Sequence, residues 1–511
     1  MIHSTVTAGL AAGVLAVLVC DLMERVFAPA PKRAGAAGRF LALRLAAFAV
    51  LFLFWLALSA RAAFAATASI ITTAVFLVIS GEKARYLKEP FVVTDFAFIT
   101  HLVQHPDLFY LGWRKTLGML AVIAGLVGLI VGWMILEPRT LSWAGQGVAL
   151  GLLLLLFGLA FATPRLVLAP WPQALELVSR ESARVFVTRL GLVPSILVSA
   201  VALRAVPAPA PRPARAAASP PPDAGTAAAP GVYDAVVVIQ SESFYDLRRQ
   251  GVGLELPALD ALRERALAHG RLVVPCYGAY TLRPEFAVST GLAFAAQGVD
   301  RFHPYLRARR FTGHALPGEL QAEGWETVFV HPYDPHFFRR ARAVPELGFQ
   351  RFLTEADFSG MERFGPYVSD AAVGRRLRAE IAAARERGHS IYMMAVTMEA
   401  HDPYGAGRLS ETDDPLEQYC RHAAHADELL ASMVEGLDAT TERSLLVFYG
   451  DHAPLLPGFD MLADDPRTDY IVIECGRHVA GGVRGQAAGA VAGDCAPEGL
   501  NAILRRMLGR A

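Results

Sequence analysis

Residues 233–244 read YDAVVVIQSESF, and this stretch decides how the second half of the chain folds. Its five consecutive apolar residues, 235–239, are mostly β-branched, which favours a strand. Because no polar residue alternates with them, we expect the strand to be buried on both faces, as in a parallel sheet. The run stops at polar residues that include Glu242. The stretch therefore predicts a central strand with a carboxylate at its carboxyl end.

Similar strand-like runs alternate with helical ones through the rest of the chain. The strand-like runs are 271–275, 326–332, 390–399, 444–452 and 469–474, and the helical ones are 257–270, 415–437 and 500–508. This alternation is typical of an α/β domain around a largely parallel sheet, in which functional groups gather at the carboxyl ends of the strands. On the helix 415–437, we expect His422 and Asp427 to lie on an exposed polar face.

Candidate metal ligands stand at these strand ends. Asp451 and His452 follow the strand that begins at 444, His401 follows the strand that begins at 390, and His331 ends the strand that begins at 326. Together with Glu242, they offer the oxygen and imidazole ligands that suit Mn²⁺, Mg²⁺ or Zn²⁺. An isolated Asp-His pair at a strand end is more often a turn or a cap, so the structural alternative stays open. His331 is expected beside the cleft, binding substrate or metal.

A candidate nucleophile lies in the segment GAYTLRPEF, residues 278–286. A glycine turn there meets the expected start of a helix, with Pro284 in the first turn. Thr281 would then sit near the positive end of the helix, where an alkoxide or a phosphate is stabilised. The alternative is an ordinary N-cap threonine.

The first half of the chain is apolar and predicts a multi-pass membrane domain. Six stretches approach or reach the roughly 20 residues that span a bilayer. They lie near 5–23, 40–59, 63–80, 116–136, 144–163 and 185–203. The first has no basic residue before it and no cleavage pattern after it, so we interpret it as a retained helix. Arg189 and Pro194 interrupt the sixth, which leaves five spans possible on length alone.

Loop charges predict the orientation, because Lys and Arg near helix ends stay on the cytoplasmic side. Alternate loops hold eleven basic residues against two. The eleven are Lys32, Arg33, Arg39, Lys83, Arg85, Lys88, Arg114, Lys115, Arg165, Arg180 and Arg184, and the two are Arg61 and Arg139. Six spans fit this alternation and five do not. The pattern places the N-terminus and everything beyond residue 204 outside the cytoplasm.

Composition sets the domain boundary and excludes some partners. Residues 205–232 hold eight prolines among alanines, which is typical of an extended spacer. We therefore predict a transmembrane domain at 1–204, a linker at 205–232 and an extracytoplasmic catalytic domain at 233–511. The 511 residues are 53% hydrophobic with a formal net charge of zero, which argues against both an ordinary cytosolic globule and a nucleic-acid partner.

Taken in order, these motifs resemble the lipoteichoic acid synthase family of membrane phosphoglycerol transferases. The motifs are Glu-Ser-Phe after the first strand, Gly-x-x-Thr before Glu-Phe, an aromatic and arginine element, His-x-Pro after a strand, and Gly-Asp-His after a later strand. The resemblance covers the whole chain. It implies an α-helical membrane domain followed by an α/β domain of the alkaline phosphatase/sulfatase fold.

The resemblance also implies roles for particular residues. The family's metal ligands fall on Glu242, Asp451 and His452, and its threonine nucleophile, which also contacts the metal, falls on Thr281. The phosphate-side histidine falls on His401, and the substrate-side aromatic and arginine fall on Phe338 and Arg340, with the planar guanidinium of Arg340 as a fork for phosphate oxygens. Arg283 and His331 complete the implied substrate contacts, although Arg283 stands where the synthases carry an acidic residue and Phe338 where they often carry tryptophan.

The implied reaction is metal-dependent phosphotransfer. Glycerol phosphate would move from a phospholipid such as phosphatidylglycerol to an envelope glycan or polymer, through a phosphothreonine at Thr281. One divalent ion is expected, with Mn²⁺ favoured over Mg²⁺ and Zn²⁺.

Two alternatives stay open: a phosphoethanolamine transferase and a non-catalytic scaffold of envelope assembly. Four cysteines lie beyond the linker and permit three disulfide pairings: Cys276, Cys420, Cys475 and Cys495. None has the Cys-x-Pro-x-Arg pattern of a sulfatase nucleophile.

Overall fold

The computed structural model describes residues 2–27, 40–99, 113–210, 233–476 and 491–510. Two compact units divide the chain, Met1–Pro207 and Ala208–Ala511. The predicted linker, 205–232, lies outside the described residues from position 211 onwards.

The first unit consists of helices, as the apolar stretches predict. They are α1 (Ile2–Phe27), α2 (Leu41–Ser59), α3 (Ala62–Leu87), α4 (Trp113–Leu136), α5 (Trp143–Ala162), α6 (Pro164–Leu168), α7 (Pro172–Arg180), α8 (Ala183–Leu190) and α9 (Leu192–Ala205). Within the described residues, α2, α3 and α5 are long and apolar enough to cross a membrane. The number of candidate spans rises to four if the bent pair α8 and α9 crosses the membrane as a single span.

The continuous sixth span predicted at 185–203 is replaced by a broken helix. Helices α8 and α9 meet at an angle of 115°. Gly191 at the break has a φ of 93°, and a Cβ there would lie 2.1 Å from Glu24 Oε2. The Val193 amide donates to Glu24 Oε1 at 2.7 Å, so the carboxylate of α1 satisfies one of the free amides at the start of α9. A side chain at position 191 would therefore collide with this buried carboxylate.

The second unit is built on an eight-stranded mixed sheet with the order β10-β2-β9-β8-β1-β7-β3-β4. Its strands are β1 (Ala235–Ser241), β2 (Ala268–Leu272), β3 (Glu326–Val330), β4 (Arg351–Leu353), β7 (Ile391–Val396), β8 (Ser444–Gly450), β9 (Thr468–Cys475) and β10 (Val491–Ala492). Strands β8, β1, β7, β3 and β4 are parallel to one another, and β9 is antiparallel to both of its neighbours. This confirms the predicted α/β domain. A small hairpin, β5 (Arg363–Phe364) and β6 (Tyr367–Val368), stands apart from the sheet.

Helices cover the central strands. They are α10 (Pro257–Arg263), α11 (Leu282–Thr290), α12 (Leu316–Ala322), α13 (Arg340–Glu346), α14 (Asp370–Glu386), α15 (Pro415–Asp438) and α16 (Pro497–Met507). Val237 and Ile239 of β1 pack into one core with Leu377 of α14 and Leu430 of α15. All seven residues of β1 are buried, which explains why the strand reads as an unbroken apolar run.

The expectation of an exposed polar face on α15 is wrong. His422 is fully buried and Asp427 is 3% exposed. Asp427 accepts hydrogen bonds from the backbone amides of Ala258 and Leu259, each at 2.8 Å, and so holds the first turn of α10. The prediction failed because a polar side chain that accepts hydrogen bonds from buried donors looks the same in the sequence as one that faces solvent.

Candidate active site

The sheet brings three of the predicted metal ligands together. Ser241 pairs with Gly450 at the carboxyl ends of β1 and β8, so the residues that follow, Glu242 and Asp451, emerge side by side. The ligand atoms of Glu242, Asp451 and His452 all lie within 4.8 Å of one another, and all three residues are buried. The adjacency follows from parallel pairing, because equivalent strand ends meet at one edge of the sheet.

Hydrogen bonds orient two of these side chains toward a common point. The Oδ1 atom of Asp451 accepts from the backbone amides of Ser243 (2.8 Å) and His452 (2.9 Å). Its Oδ2 atom has no hydrogen-bond partner among the described residues, although it is buried. His452 Nδ1 faces the Ala453 carbonyl at 3.1 Å, which leaves Nε2 to the pocket. That Nε2 lies 3.4 Å from Glu242 Oε1 and 3.4 Å from Asp451 Oδ2.

The electrostatics of this pocket favour a cation. Burial, reinforced by the charge of Glu242, raises the pKa of Asp451 to about 7. Burial opposes a charge on His452, but Asp451 and Glu242 outweigh it and raise the pKa of that imidazole. Two close carboxylates, an imidazole nitrogen and one orphaned buried oxygen form a donor set that fits a divalent ion. The residues present therefore fit the metal that the sequence predicts.

Thr281 stands at the edge of this pocket, immediately before α11. Its hydroxyl Oγ1 lies 3.5 Å from Glu242 Oε2, within hydrogen-bond reach. The N-cap alternative requires the side chain to accept from an amide of the first helical turn, and Thr281 makes no such bond. Gln240 Nε2 donates to the Thr281 carbonyl at 3.1 Å, and Tyr449 donates to Gln240 Oε1 at 2.6 Å. The ends of β1 and β8 therefore hold the threonine backbone as well as the ligands.

The sequence prediction has the guanidinium of Arg340 facing phosphate oxygens of the substrate. In the structure this guanidinium is engaged by other side chains of the protein. Its Nη2 donates to Glu285 Oε2 at 2.7 Å, its Nε to Glu285 Oε1 at 3.3 Å, and its Nη1 contacts His331 Nε2 at 3.0 Å. Arg340 and Glu285 are both fully buried, and Tyr305 donates to the same carboxylate. The predicted substrate arginine thus lies in a buried ion pair one helical turn from Thr281.

His331 belongs to the same network. Its Nδ1 contacts the Val396 carbonyl at 3.0 Å at the end of the neighbouring strand β7. Burial and the adjacent Arg340 cation lower the pKa of His331 well below its ordinary value. The imidazole is therefore neutral, with Nδ1 donating to β7 and Nε2 accepting from Arg340.

Arg283 and Phe338 are buried beside aromatic rings. The Arg283 guanidinium lies 3.9 Å from the ring centroid of Tyr280, and its Nε donates to the Phe302 carbonyl at 3.3 Å. Phe338 has a left-handed φ of 56°, and its ring packs 4.3 Å from that of Phe337. Left-handed backbone at a bulky residue is uncommon and persists where the surrounding structure over-determines it.

His401 lies on the segment that follows β7. Its Nδ1 contacts the Asp402 carbonyl at 2.6 Å, and its ring lies 5.8 Å from that of Tyr367. The segment reaches the metal pocket through Thr397, whose Oγ1 accepts from the Glu242 amide at 3.0 Å. The half-buried His401 is thus anchored next to the predicted ligands but outside their cluster.

Several residues of the site were not foreseen from the sequence. They are Gln240, Ser243, Glu285, Tyr305, Thr397 and Tyr449. The sequence does contain a signal for Glu285, because this residue lies four positions after Thr281 and therefore on the same face of the helix. Ser243 bonds its neighbour Glu242 through its hydroxyl, and the others act through bonds between segments far apart in the chain, which no local pattern reports.

The comparisons with known proteins agree with this geometry. The sulfatase family model matches residues 234–485, which include seven of the eight strands of the sheet, all but β10, and all three metal-ligand candidates. Fold and match together define the class: the second unit is a domain of the alkaline phosphatase/sulfatase superfamily.

Relatives extend the match to the membrane half. The capsular polysaccharide biosynthesis protein RkpI of Rhizobium meliloti (strain 1021) is 32% identical over 449 residues, covering 84% of this chain and 80% of that protein. The chain therefore belongs to the same family as RkpI. A second protein of that organism, named "Putative cyclic beta-1,2-glucan modification protein", is 28% identical over 236 residues, or 43% of this chain and 36% of that one.

A solved structure is also similar to part of this chain. The Streptococcus pyogenes phosphoglycerol transferase GacH, in complex with sn-glycerol-1-phosphate, has 21% identity and a TM-score of 0.44. The alignment covers 54% of this chain and 74% of that one.

Proposed function

We propose that this protein is a membrane-anchored phosphoglycerol transferase. It takes glycerol phosphate from a phospholipid such as phosphatidylglycerol and passes it to an envelope glycan or polymer. The observation that carries the proposal is the hydroxyl of Thr281, which faces Glu242 at 3.5 Å at the edge of a three-ligand pocket and caps no helix. A glycan acceptor is supported by the names of the two relatives, which refer to capsular polysaccharide and to cyclic glucan.

The pocket supplies the residues for one divalent ion, for which we propose Mn²⁺. Glu242, Asp451 and His452 would hold it, with the oxygen of Thr281 as a further ligand. Such an ion, when bound, lowers the pKa of a neighbouring hydroxyl and neutralises charge on phosphate oxygens. Ser243 donates to Glu242 Oε1 at 2.8 Å, which fixes that carboxylate while Oε2 faces the threonine.

The chain's own residues then account for the two steps of the transfer. Thr281 Oγ1 attacks the donor phosphorus, its proton passes to Glu242, and the new bond replaces the one to the diacylglycerol oxygen. His401 donates a proton to that leaving oxygen. In the second step the acceptor hydroxyl loses its proton to His401 and attacks the phosphothreonine. The bond to Thr281 breaks, the proton on Glu242 returns to the threonine oxygen, and the enzyme is restored.

The remaining predicted residues line the substrate side in this proposal. Arg283 and Phe338 would contact the donor head group. The guanidinium of Arg340 donates to both carboxylate oxygens of Glu285 in the structure. Arg340 would therefore have to release Glu285 before it could bind the phosphate of the donor. His331, neutral and bonded on both ring nitrogens, would position Arg340 for that exchange.

The membrane half places this reaction at a lipid surface. We propose that the protein lies in the bacterial inner membrane with its catalytic domain on the periplasmic side. The support is the apolar helices and the basic loops of the sequence. The donor would then be a lipid of the outer leaflet of that membrane.

The alternatives are less well supported. A phosphoethanolamine transferase typically carries several disulfides near its site, whereas Cys420, Cys475 and Cys495 form none within the described part of the chain. A non-catalytic scaffold would have no reason to keep a buried, orphaned carboxylate oxygen at Asp451, which is costly without a ligand.

The test uses the purified full chain with labelled phosphatidylglycerol or phosphatidylethanolamine. We expect Mn²⁺-dependent release of diacylglycerol from the first lipid and, without acceptor, glycerol phosphate on the Thr281 peptide in mass spectra. Thr281→Ser should retain some turnover and the adduct, whereas Thr281→Asn should fold with near-native melting and be inactive. Turnover of Thr281→Asn close to wild type would exclude the phosphothreonine, and release from phosphatidylethanolamine alone would favour the alternative donor.

A further inference from the structure

A second buried cluster of charged residues lies beside the site and has no part in the mechanism above. It consists of Glu399, Asp370, His422, His425 and Arg408, which we call the Glu399 hub. We propose that this hub positions the segment 397–409, and with it His401, for proton transfer. Glu399 and its partners are thus positioning residues, and the inference rests on the proposed role of His401.

Glu399 is a fully buried carboxylate that accepts three hydrogen bonds. His422 Nδ1 and His425 Nδ1 lie 3.1 and 2.8 Å from Oε1, and the Asp370 amide donates to Oε2 at 2.7 Å. The two histidines lie three residues apart on α15, so one face of the helix presents both rings. Three donors from two helices therefore hold a residue only two positions before His401.

Arg408 holds the segment on both sides of His401. Its Nη2 donates to the Glu399 carbonyl at 2.8 Å, and its Nη1 to the Pro403 carbonyl at 3.1 Å. The same guanidinium donates through Nε to His422 Nε2 at 3.2 Å. One planar cation therefore fixes the backbone before and after His401, and ties that backbone to α15.

Most charges of the hub are compensated, and Asp370 is the exception, because burial and the charge of Glu399 raise the pKa of that carboxyl well above its ordinary value. Burial opposes a negative Glu399, but the bonds from His422 and His425 outweigh it and lower its pKa. Burial lowers the pKa of His422, so that ring is neutral, with Nδ1–H toward Glu399 and Nε2 toward Arg408. The half-buried His425 has its pKa raised, chiefly by its bond to Glu399. Such a cluster costs desolvation that apolar residues would not, so its retention indicates a requirement for a defined geometry.

The hub also touches the metal pocket. The side chain of Asp370 interacts with that of Thr397, the residue whose hydroxyl accepts from the Glu242 amide. A shift of this segment would therefore move His401 relative to the pocket.

The test is a double-mutant cycle in the full chain. Glu399→Gln keeps the size of the side chain but presents an amide to donors, and His425→Gln is a milder change at a half-buried position. We expect each to lower kcat for donor turnover, by on the order of 10²-fold for Glu399→Gln, with little change in KM or Mn²⁺ binding. In a His401→Ala background, Glu399→Gln should cause little further loss.

Backbone hydrogen exchange gives a readout that needs no activity. Exchange in 397–409 should speed up in Glu399→Gln and His425→Gln, while the amides of β1 and β8 stay protected. The matched control is Glu326→Gln, because Glu326 also binds a histidine and an arginine, His389 at 3.0 Å and Arg387 at 2.7 Å, but at the start of β3. It should change neither exchange in 397–409 nor turnover.

Two results would overturn the inference. One is additive loss of kcat for Glu399→Gln and His401→Ala, and the other is unchanged exchange in 397–409 in both hub variants. Absence of turnover in the wild-type protein with every donor would instead refute the proposed function, and the exchange measurement would still decide whether the hub holds the segment.

Discussion

The metal pocket and the Glu399 hub are built from the same residue types, yet they treat their carboxylates in opposite ways. Each places a buried carboxylate just after a strand of the same sheet, Asp451 after β8 and Glu399 after β7, with histidine rings beside it. In the pocket, Asp451 keeps one buried oxygen without a hydrogen-bond partner. In the hub, both oxygens of Glu399 are bonded, by two imidazoles and one amide. The contrast is between Asp451 and Glu399 themselves, since Asp370 of the hub also keeps one buried oxygen, Oδ1, without a hydrogen-bond partner among the described residues.

The same difference separates the two groups of histidines. His452 turns Nδ1 to its neighbour's carbonyl and presents Nε2 to open space between carboxylates. His422 has both ring nitrogens engaged, one by Glu399 and one by Arg408. Residue type alone does not distinguish a ligand from a support, whereas the partner of the second ring nitrogen does.

The largest expected effect concerns the pocket. Asp451→Asn should lower turnover by about 10³-fold or more, because a missing ligand removes several kcal/mol of transition-state charge stabilisation. Metal content measured by mass spectrometry of the purified protein should fall in parallel. Retention of stoichiometric Mn²⁺ together with turnover would show that Asp451 is a support like Glu399, and the comparison would fail.

The next effect concerns stability. Glu399→Ala should lower the free energy of unfolding by about 3–5 kcal/mol, since it leaves buried donors without an acceptor. Thermal unfolding of the full chain in detergent measures this. The exposed pair Arg375–Glu362 provides the control, because Glu362→Ala should cost less than about 1 kcal/mol. Equal losses in both variants would mean that the hub contributes no more than a surface ion pair.

A third prediction separates the two regions by their response to metal. Mn²⁺ at 100 times its Kd should stabilise the wild-type protein by about 2.7 kcal/mol. Glu399→Gln should show the same increase in melting temperature on addition of Mn²⁺, and Asp451→Asn should show none. If the hub variant also loses the increase, the two regions are one site rather than a pocket and its support.

A fourth prediction concerns the pH dependence of the metal-free protein. The folded-state pKa of Asp451 is raised from 3.8 to about 7, so folding favours the protonated form. Its contribution to stability is therefore largest at low pH and is lost as the pH rises from about 4 to about 7. In the presence of a chelator, Asp451→Asn should melt with a weaker pH dependence than wild type over this window. Identical profiles would contradict a raised pKa.

Local sequence patterns predicted the framework of the protein. The valine-rich run 235–239 and the run ending at Gly450 specify two buried parallel strands, and Glu242 and Asp451 follow them directly. Strand pairing then brings these two residues together, whatever lies between them in the chain. The apolar stretches likewise predicted the membrane helices α2, α3 and α5, because length and hydropathy are local properties.

Tertiary structure decided how the charged side chains are paired. The sequence predicted Arg340 as an open phosphate fork and His422 as a solvated residue, whereas the fold gives them Glu285 and Glu399 as partners. The helix predicted as the sixth span is also broken at Gly191, where a side chain would collide with Glu24 of the distant helix α1. Each of these outcomes depends on which side chain arrives from far along the chain. Hydrophobic periodicity determines elements locally, but the pairing of buried charges is determined only when the elements pack.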